Sequence, residues 1–187
     1  MKPIAHPRGT KIEEQKTSRE QIQEELYAEA IEYLKNFKNY DLIYEKPEKN
    51  YESRQTVDKD GLIVTINKYR AENVTEADLE RYVDDRAGMI VAVVKDLEGI
   101  KLPSDEGHEV DLFKMHIPFW FVSDRDLVVT FYEQYDPKTG FRNYFDSSRG
   151  NEEITKKYKK LIGKDVIVDA KLNFLQFKPY DGGMEIN

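Results

Sequence analysis

The sequence predicts a single α+β domain, in which one amphipathic helix near the start docks on a predominantly antiparallel β-layer. Three observations carry that prediction. At 187 residues the chain holds one domain with a substantial core, and a second would be cramped. Apolar residues recur at three- and four-residue spacing only in the first part of the chain. The second half is instead a series of short β-rich runs separated by turn residues.

Residues 1–16 are polar, carry Pro3, Pro7 and Gly9, and show no periodicity, so they read as a flexible tail ahead of a domain over 17–187. Ser18 followed by Gln21 fits a capping box. Ile22, Leu26, Ala30, Tyr33, Leu34 and Phe37 then fall on one face of a helix. From Tyr40 the texture changes to β-rich runs at 42–44, 54–57 and 62–69, broken by Lys59-Asp60-Gly61, which predicts strands joined by a hairpin. Thr75 with Asp78 opens a second, short helix to about Arg86, and Val74 with Leu79 forms its hydrophobic staple. Residues 89–94 read as a strand, and 100–109, with Pro103 and Gly107, as a loop. Strands follow at 110–117, 126–134, 141–146 and 166–177, with Pro137 to Gly140 closing the middle pair. Residues 152–161 form either one helical stretch or a charged loop.

Alternation places Phe113, Met115 and Ile117 on one face of their strand, Val129 and Phe131 on one face of the next, and Val166, Val168, Ala170, Leu172 and Phe174 on one face of the last. Such a face must be covered by helix or enclose a ligand, and on its own it reads first as an ordinary core.

The stretch Ile117-Pro118-Phe119-Trp120-Phe121-Val122-Ser123-Asp124-Arg125-Asp126-Leu127-Val128 resembles the most specific sequence feature of START (steroidogenic acute regulatory-related lipid transfer) domains: a Pro-aromatic segment, a Ser-x-Arg-Asp turn and an apolar strand. The order of elements over residues 18–187 is similar as well. Pro118, Ser123, Arg125 and Asp126 are the residues that carry the likeness. On the bottom-up reading Ser123 and Asp124 suit a turn, and the adjacent Arg125 and Asp126 point to opposite faces and anchor different neighbours.

The resemblance implies a helix-grip (START/Bet v1-like) fold, in which a curved antiparallel sheet wraps a long C-terminal helix around a tunnel for an apolar ligand. It implies a lipid partner, of sterol, phospholipid or sphingolipid class, for intracellular transfer or sensing. Phe113, Met115, Ile117, Val129, Phe131, Phe145, Val168, Leu172 and Phe174 would then line the pocket. The sequence departs from the pattern twice. Phe131 stands where some sterol-binding members place an Arg, and after Pro179 to Asn187 the chain runs out where a final strand and the gripping helix would follow. Either the chain is a truncated or divergent member, or the N-terminal helix or a second chain covers the sheet.

Composition restricts the chemistry. Lys plus Arg total 29 against 36 Asp plus Glu, and a net charge of -7 speaks against nucleic acid as a partner. With no cysteine there is no thiolate nucleophile or Cys-based metal site. His6, His108 and His116 show no metal-ligand spacing, and Asp84-Asp85 and Asp96 with Glu98 have no nucleophile or metal assigned to them, so no metal, cofactor or catalytic residue is expected. No signal peptide or membrane-spanning run is legible, and a cytoplasmic protein with peripheral membrane contact is the expectation. That contact would use Lys156, Lys157, Lys159 and Lys160, which with Lys164 form the one local basic cluster. Two alternatives stay open: a polyketide cyclase or aromatase-type enzyme on the same scaffold, and a module whose exposed apolar sheet recruits another protein.

Overall fold

A computed structural model describes residues 17–84, 96–119, 123–163 and 165–187. The tail 1–16, the predicted strand at 89–94, and Trp120, Phe121, Val122 and Lys164 lie outside them.

Helix α1 (Ser18–Lys35) forms where the periodicity placed it, but one residue separates the observed cap from the predicted one. Thr17 is the N-cap: its hydroxyl accepts from the Glu20 N–H, and the Glu20 carboxylate accepts from the Thr17 N–H. Ser18 instead donates to Glu106. Three strands follow, β1 (Asp41–Lys46), β2 (Tyr51–Val57) and β3 (Ile63–Glu72), and the β2–β3 turn is tied by Asp58, whose carboxylate accepts from the N–H groups of Asp60 and Leu62. Helix α2 (Glu76–Asp84) starts at the predicted Thr75–Asp78 box, and Val74 packs beside Leu79 as a staple should.

Residues 97–105 are a strand, β4 (Leu97–Asp105), and not the loop that Pro103 and Gly107 pointed to. Among the described residues β4 is one of the two outer strands of the sheet, and the register breaks between Leu102 and Asp105, so the missing N–H of Pro103 costs no ladder bond. Glu106 and Gly107, both at positive φ (46° and 84°), form the tight turn into β5 (His108–Met115). β6 (Arg125–Asp136) and β7 (Phe141–Ser147) follow as predicted. Two short helices, α3 (Glu152–Lys157) and α4 (Lys159–Ile162), occupy the ambiguous 152–161 stretch.

The predicted strand 166–177 is in fact two. β8 (Val166–Ile167) pairs in parallel with β6, the chain then runs irregularly, and β9 (Asn173–Tyr180) starts afresh beside β7. The final strand that the sequence reading had running out is present: Tyr180 to Gly183 turns the chain into β10 (Gly183–Ile186), which lies between β9 and β3.

The sheet is open, with strand order β1-β2-β3-β10-β9-β7-β6-β5-β4 and antiparallel pairing along this whole path. Among the described residues β10 alone links the β1–β3 unit to the other strands. Helices cover one face. Leu26 of α1 sits on Tyr132 and Phe145, and Ile162 of α4 sits on Val110, Leu112 and Val128. The opposite face carries α2 at one end, where Leu79 packs on Tyr144, Phe177, Met184 and Ile186. Both faces are therefore apolar, which is why period-two alternation is weak through Val110-Asp111-Leu112-Phe113, all four of which are buried.

Candidate functional site

The face opposite α1 holds the core of the candidate site. Phe113, Val129 and Phe131 lie together there at 6%, 1% and 4% exposure, with Leu97, Leu127 and Ala170 packed around them. Antiparallel register sets this grouping: Phe113 pairs with Leu127 and Asp111 with Val129, so all four side chains share one face. Farther along the same face Tyr144 and Phe177 meet edge to face, with ring centroids 5.6 Å apart. Burial pushes the Tyr144 hydroxyl above its ordinary range.

One polar group in this setting was not singled out from sequence. Asp111 is 3% exposed, on the same face as Phe113 and beside Val129. The signal was present: Asp111 extends the predicted Phe113-Met115-Ile117 row by one step toward the N-terminus. It sets a buried carboxyl on a face that otherwise reads as apolar.

The other predicted pocket residues are distributed differently. Phe145, Leu172 and Phe174 lie on the helix-covered side in one cluster with Leu26 and Tyr132, and the Phe145 and Phe174 rings are 5.3 Å apart. Val168 is half-buried and donates its N–H to Asp126 O at 2.8 Å, outside any strand. Met115 is 42% exposed at the end of β5, and Ile117 is half-buried just beyond it. The single-face reading of Val166 to Phe174 therefore fails. Ala170 packs with Phe113 on one side of the sheet, Phe174 with Phe145 on the other, and Val166 is exposed. Residues 168–172 are irregular, so the strand alternation does not run through them.

The motif residues hold a turn. Asp124 accepts from the Ile117 N–H at 3.0 Å and from His116 Nδ1 at 3.1 Å, so it clips both ends of the β5–β6 connection. The Ile117 N–H and then the His116 ring hold the Asp124 carboxyl below its ordinary range, while the Asp124 bond raises His116. Pro118 and Ser123 are exposed. Arg125 donates back to the Ser123 and Asp124 carbonyls. Asp126 is fully buried on the other face and accepts from Lys114, whose ammonium also reaches Asp165 and the Leu161 carbonyl. Burial pushes the Asp126 carboxyl up, against the opposing pull of Lys114. Arg125 and Asp126 thus serve separate anchors, as their adjacency required.

A cleft of about 490 Å³ opens between α1, the β2–β3 hairpin and the start of β9. Ala30, Tyr33, Leu34, Ile66, Leu172 and Phe174 contribute its apolar wall, so two of the predicted pocket residues line it. Lys156, Lys157, Lys159 and Lys160 are all exposed on α3 and α4, near the exposed aliphatic residues Leu161, Val166 and Ile167. Among the described residues no group of three or more His, Asp or Glu side chains is placed to hold a metal ion, and no helix is long and apolar enough to cross a membrane.

No protein-family model matches the sequence, and no curated protein does. Solved structures do. The chain is similar to a STAR-related lipid transfer protein from Xanthomonas axonopodis, with a TM-score of 0.60 at 15% identity over 79% of this chain and 77% of that one. It is also similar to the human StarD13 (DLC2) lipid transfer and protein localization domain, with a TM-score of 0.55 at 16% identity over 85% of this chain and 77% of that one. The chain has the START-like, helix-grip α+β fold.

Proposed function

We propose that this domain binds a lipid-type ligand against the sheet face opposite α1, for lipid transfer or sensing, without covalent catalysis. The observation that carries the reading is the buried Phe113, Val129 and Phe131 cluster, on a fold whose similar structures are lipid transfer domains. Affinity would come from apolar area removed from water, roughly 0.8 kcal/mol per buried methylene. Asp111, directly across from Lys101, and the Tyr144 hydroxyl are among the polar groups on that face that would orient a head group. Leu161, Val166 and Ile167, flanked by Lys156, Lys157, Lys159 and Lys160, would meet an anionic bilayer during exchange, a term screened by salt.

Native mass spectrometry of protein purified from cells tests the reading. A co-purifying lipid is expected, retained by a Leu42→Asp control and lost from Phe131→Asp, with circular dichroism establishing that both variants fold. Equal lipid content in the two variants would remove the assignment to this face. A second reading rests on a separate observation: β1 is an outer strand with Leu42, Ile43 and Tyr44 all about half exposed or more, a surface suited to another protein. Concentration-dependent self-association with no lipid recovered would favour it.

A further inference from the structure

β1 is an outer strand: among the described residues it pairs only with β2. Leu42, Ile43 and Tyr44 in its middle are 49%, 51% and 53% exposed, and charged residues close both ends, Asp41 at the start and Glu45 and Lys46 at the finish. An exposed apolar edge presents a row of backbone donors and acceptors to another strand. The side-chain pattern of β1 selects which strand fits.

Asp41 lies opposite Gln55 and Leu42 opposite Arg54, but Tyr44 lies opposite Ser53, so Ile43 is one residue extra and forms a bulge. Gln55, Ser53 and Tyr51 alternate with Arg54 and Glu52 along β2, and each β1 residue shares the face of the residue it opposes. Asp41, Tyr44 and Lys46 are therefore on one face of the sheet, and Leu42 and Glu45 on the other. In a regular strand Asp41 and Lys46, an odd number of positions apart, would face opposite ways. The bulge brings them to the same side, and does the same for Leu42 and Glu45.

We propose that β1 pairs antiparallel with β1 of a second copy of this chain, about a two-fold axis that passes between Ile43 and Tyr44 perpendicular to the sheet. In that register Asp41 lies across from the partner's Lys46 at both ends. Leu42 covers the stem of the partner's Glu45, and Ile43 meets the partner's Tyr44 as an apolar pair at the centre. Each opposed pair outside the bulge then shares a face, and the bulge of one strand meets the bulge of the other, so the two strands stay in step. Sliding by one residue in either direction sets Leu42 against a residue of the other face, and one of those slides also sets Asp41 against the partner's Glu45. The link from Lys46 to Glu48 is a loose 3.7 Å pair at the surface, weak enough for Lys46 to exchange it for a carboxylate across the edge. This pairing rests on the reading of β1 as a protein-binding edge and is separate from lipid retention on the face opposite α1.

Sedimentation equilibrium of the full chain should show a monomer and dimer in exchange at concentrations up to about 0.5 mM, as suits a small interface. Asp41→Lys and Lys46→Asp each set like charges across both ends and should weaken the dimer about tenfold. Mixed in equal amounts, these two variants complement each other and should associate as tightly as the parent, and so should the double exchange. Leu42→Asp sets a carboxylate against the partner's Glu45 and should lose the dimer while keeping its lipid. Ile63→Asp, at an exposed apolar position away from this edge, should leave the dimer unchanged, with circular dichroism establishing that every variant folds. Single exchanges that associate like the parent, a mixture or double exchange that fails to recover, or loss of the dimer in Ile63→Asp would each overturn the pairing. A parent that stays monomeric would overturn it too, while leaving β1 to a different protein.

Discussion

Arg19 stitches α1 to three other parts of the chain, and Arg19→Met measures what that connection contributes. The residue is 2% exposed. Its Nε lies 2.7 Å from Asp105 at the β4–β5 turn, Nη1 lies 3.3 Å from both the Tyr132 hydroxyl and the Arg149 carbonyl, and Nη2 lies 3.2 Å from the Gly150 carbonyl. Methionine fills most of the volume and leaves these acceptors to find water. Asp105, 41% exposed, can do so, which keeps the loss below the roughly 3–5 kcal/mol of breaking a fully buried pair. The Tyr132 hydroxyl and the two carbonyls are worse placed, and at about 1 kcal/mol each they set an expected loss of about 2–3 kcal/mol. For a protein of this size that lowers Tm by about 5–10 °C. Urea unfolding and thermal melts of Arg19→Met, Arg19→Lys and Asp105→Asn read it out. Lysine retains the Asp105 pair but not the planar fork, so it should lose about half as much. A melting temperature for Arg19→Met within about 1 °C of the parent, or lysine as damaging as methionine, would refute the view that the forked bonds hold α1 in place.

Three further outcomes follow from the geometry. A Cβ at Gly183 would sit 2.2 Å from the Ala71 carbonyl oxygen, so Gly183→Ala must push β10 from β3 and should cost about 2–3 kcal/mol. At Gly107, with nothing within 4 Å, alanine pays only for positive φ, about 1 kcal/mol, and equal urea midpoints would contradict the difference. Asn151, 2% exposed, donates to the Val128 and Ser147 carbonyls and accepts from Thr130 at 2.8 Å; Asn151→Leu should lose about 2–3 kcal/mol, and combining it with Thr130→Val should cost less than the sum. The bond to Asp124 raises the His116 pKa, so this pair's contribution to stability is complete below the unfolded-state value near about 6.5 and is lost as pH rises through the higher folded value. NMR titration should show the His116 shift, and Asp124→Asn should abolish it; an unchanged midpoint would disprove the link.

The elements that depend on local chemistry were legible in advance. Helix α1, the Thr75–Asp78 start of α2 with its Val74–Leu79 staple, the β2–β3 turn at Lys59-Asp60-Gly61 and the β6–β7 hairpin each follow from residues within a few positions of one another. The misreadings occur where tertiary position overrides local preference. Pro103 reads as a loop residue until β4 is found at the sheet edge, where its missing donor does not matter. Val166 to Phe177 reads as one strand because its apolar spacing is regular, yet Ala170 serves one face and Phe174 the other. Alternation grouped Phe113 with the row that packs on Val129 and Phe131, while Phe145, Leu172 and Phe174 carry the same apolar signal and lie under α1.

By itself the sequence determined the α+β class, with one helix facing an antiparallel layer and a Ser-Arg-Asp turn between two of its strands. Hydrogen bonding and apolar periodicity act over a few residues, so they are written in consecutive letters. Which side of the sheet each apolar row faces, that β10 joins β3 to β9, and that Asp111 is buried between Lys101 and Val129 were decided only by the tertiary structure. A sheet covered on both faces is apolar in both rows, and alternation then loses the contrast that would tell one face from the other.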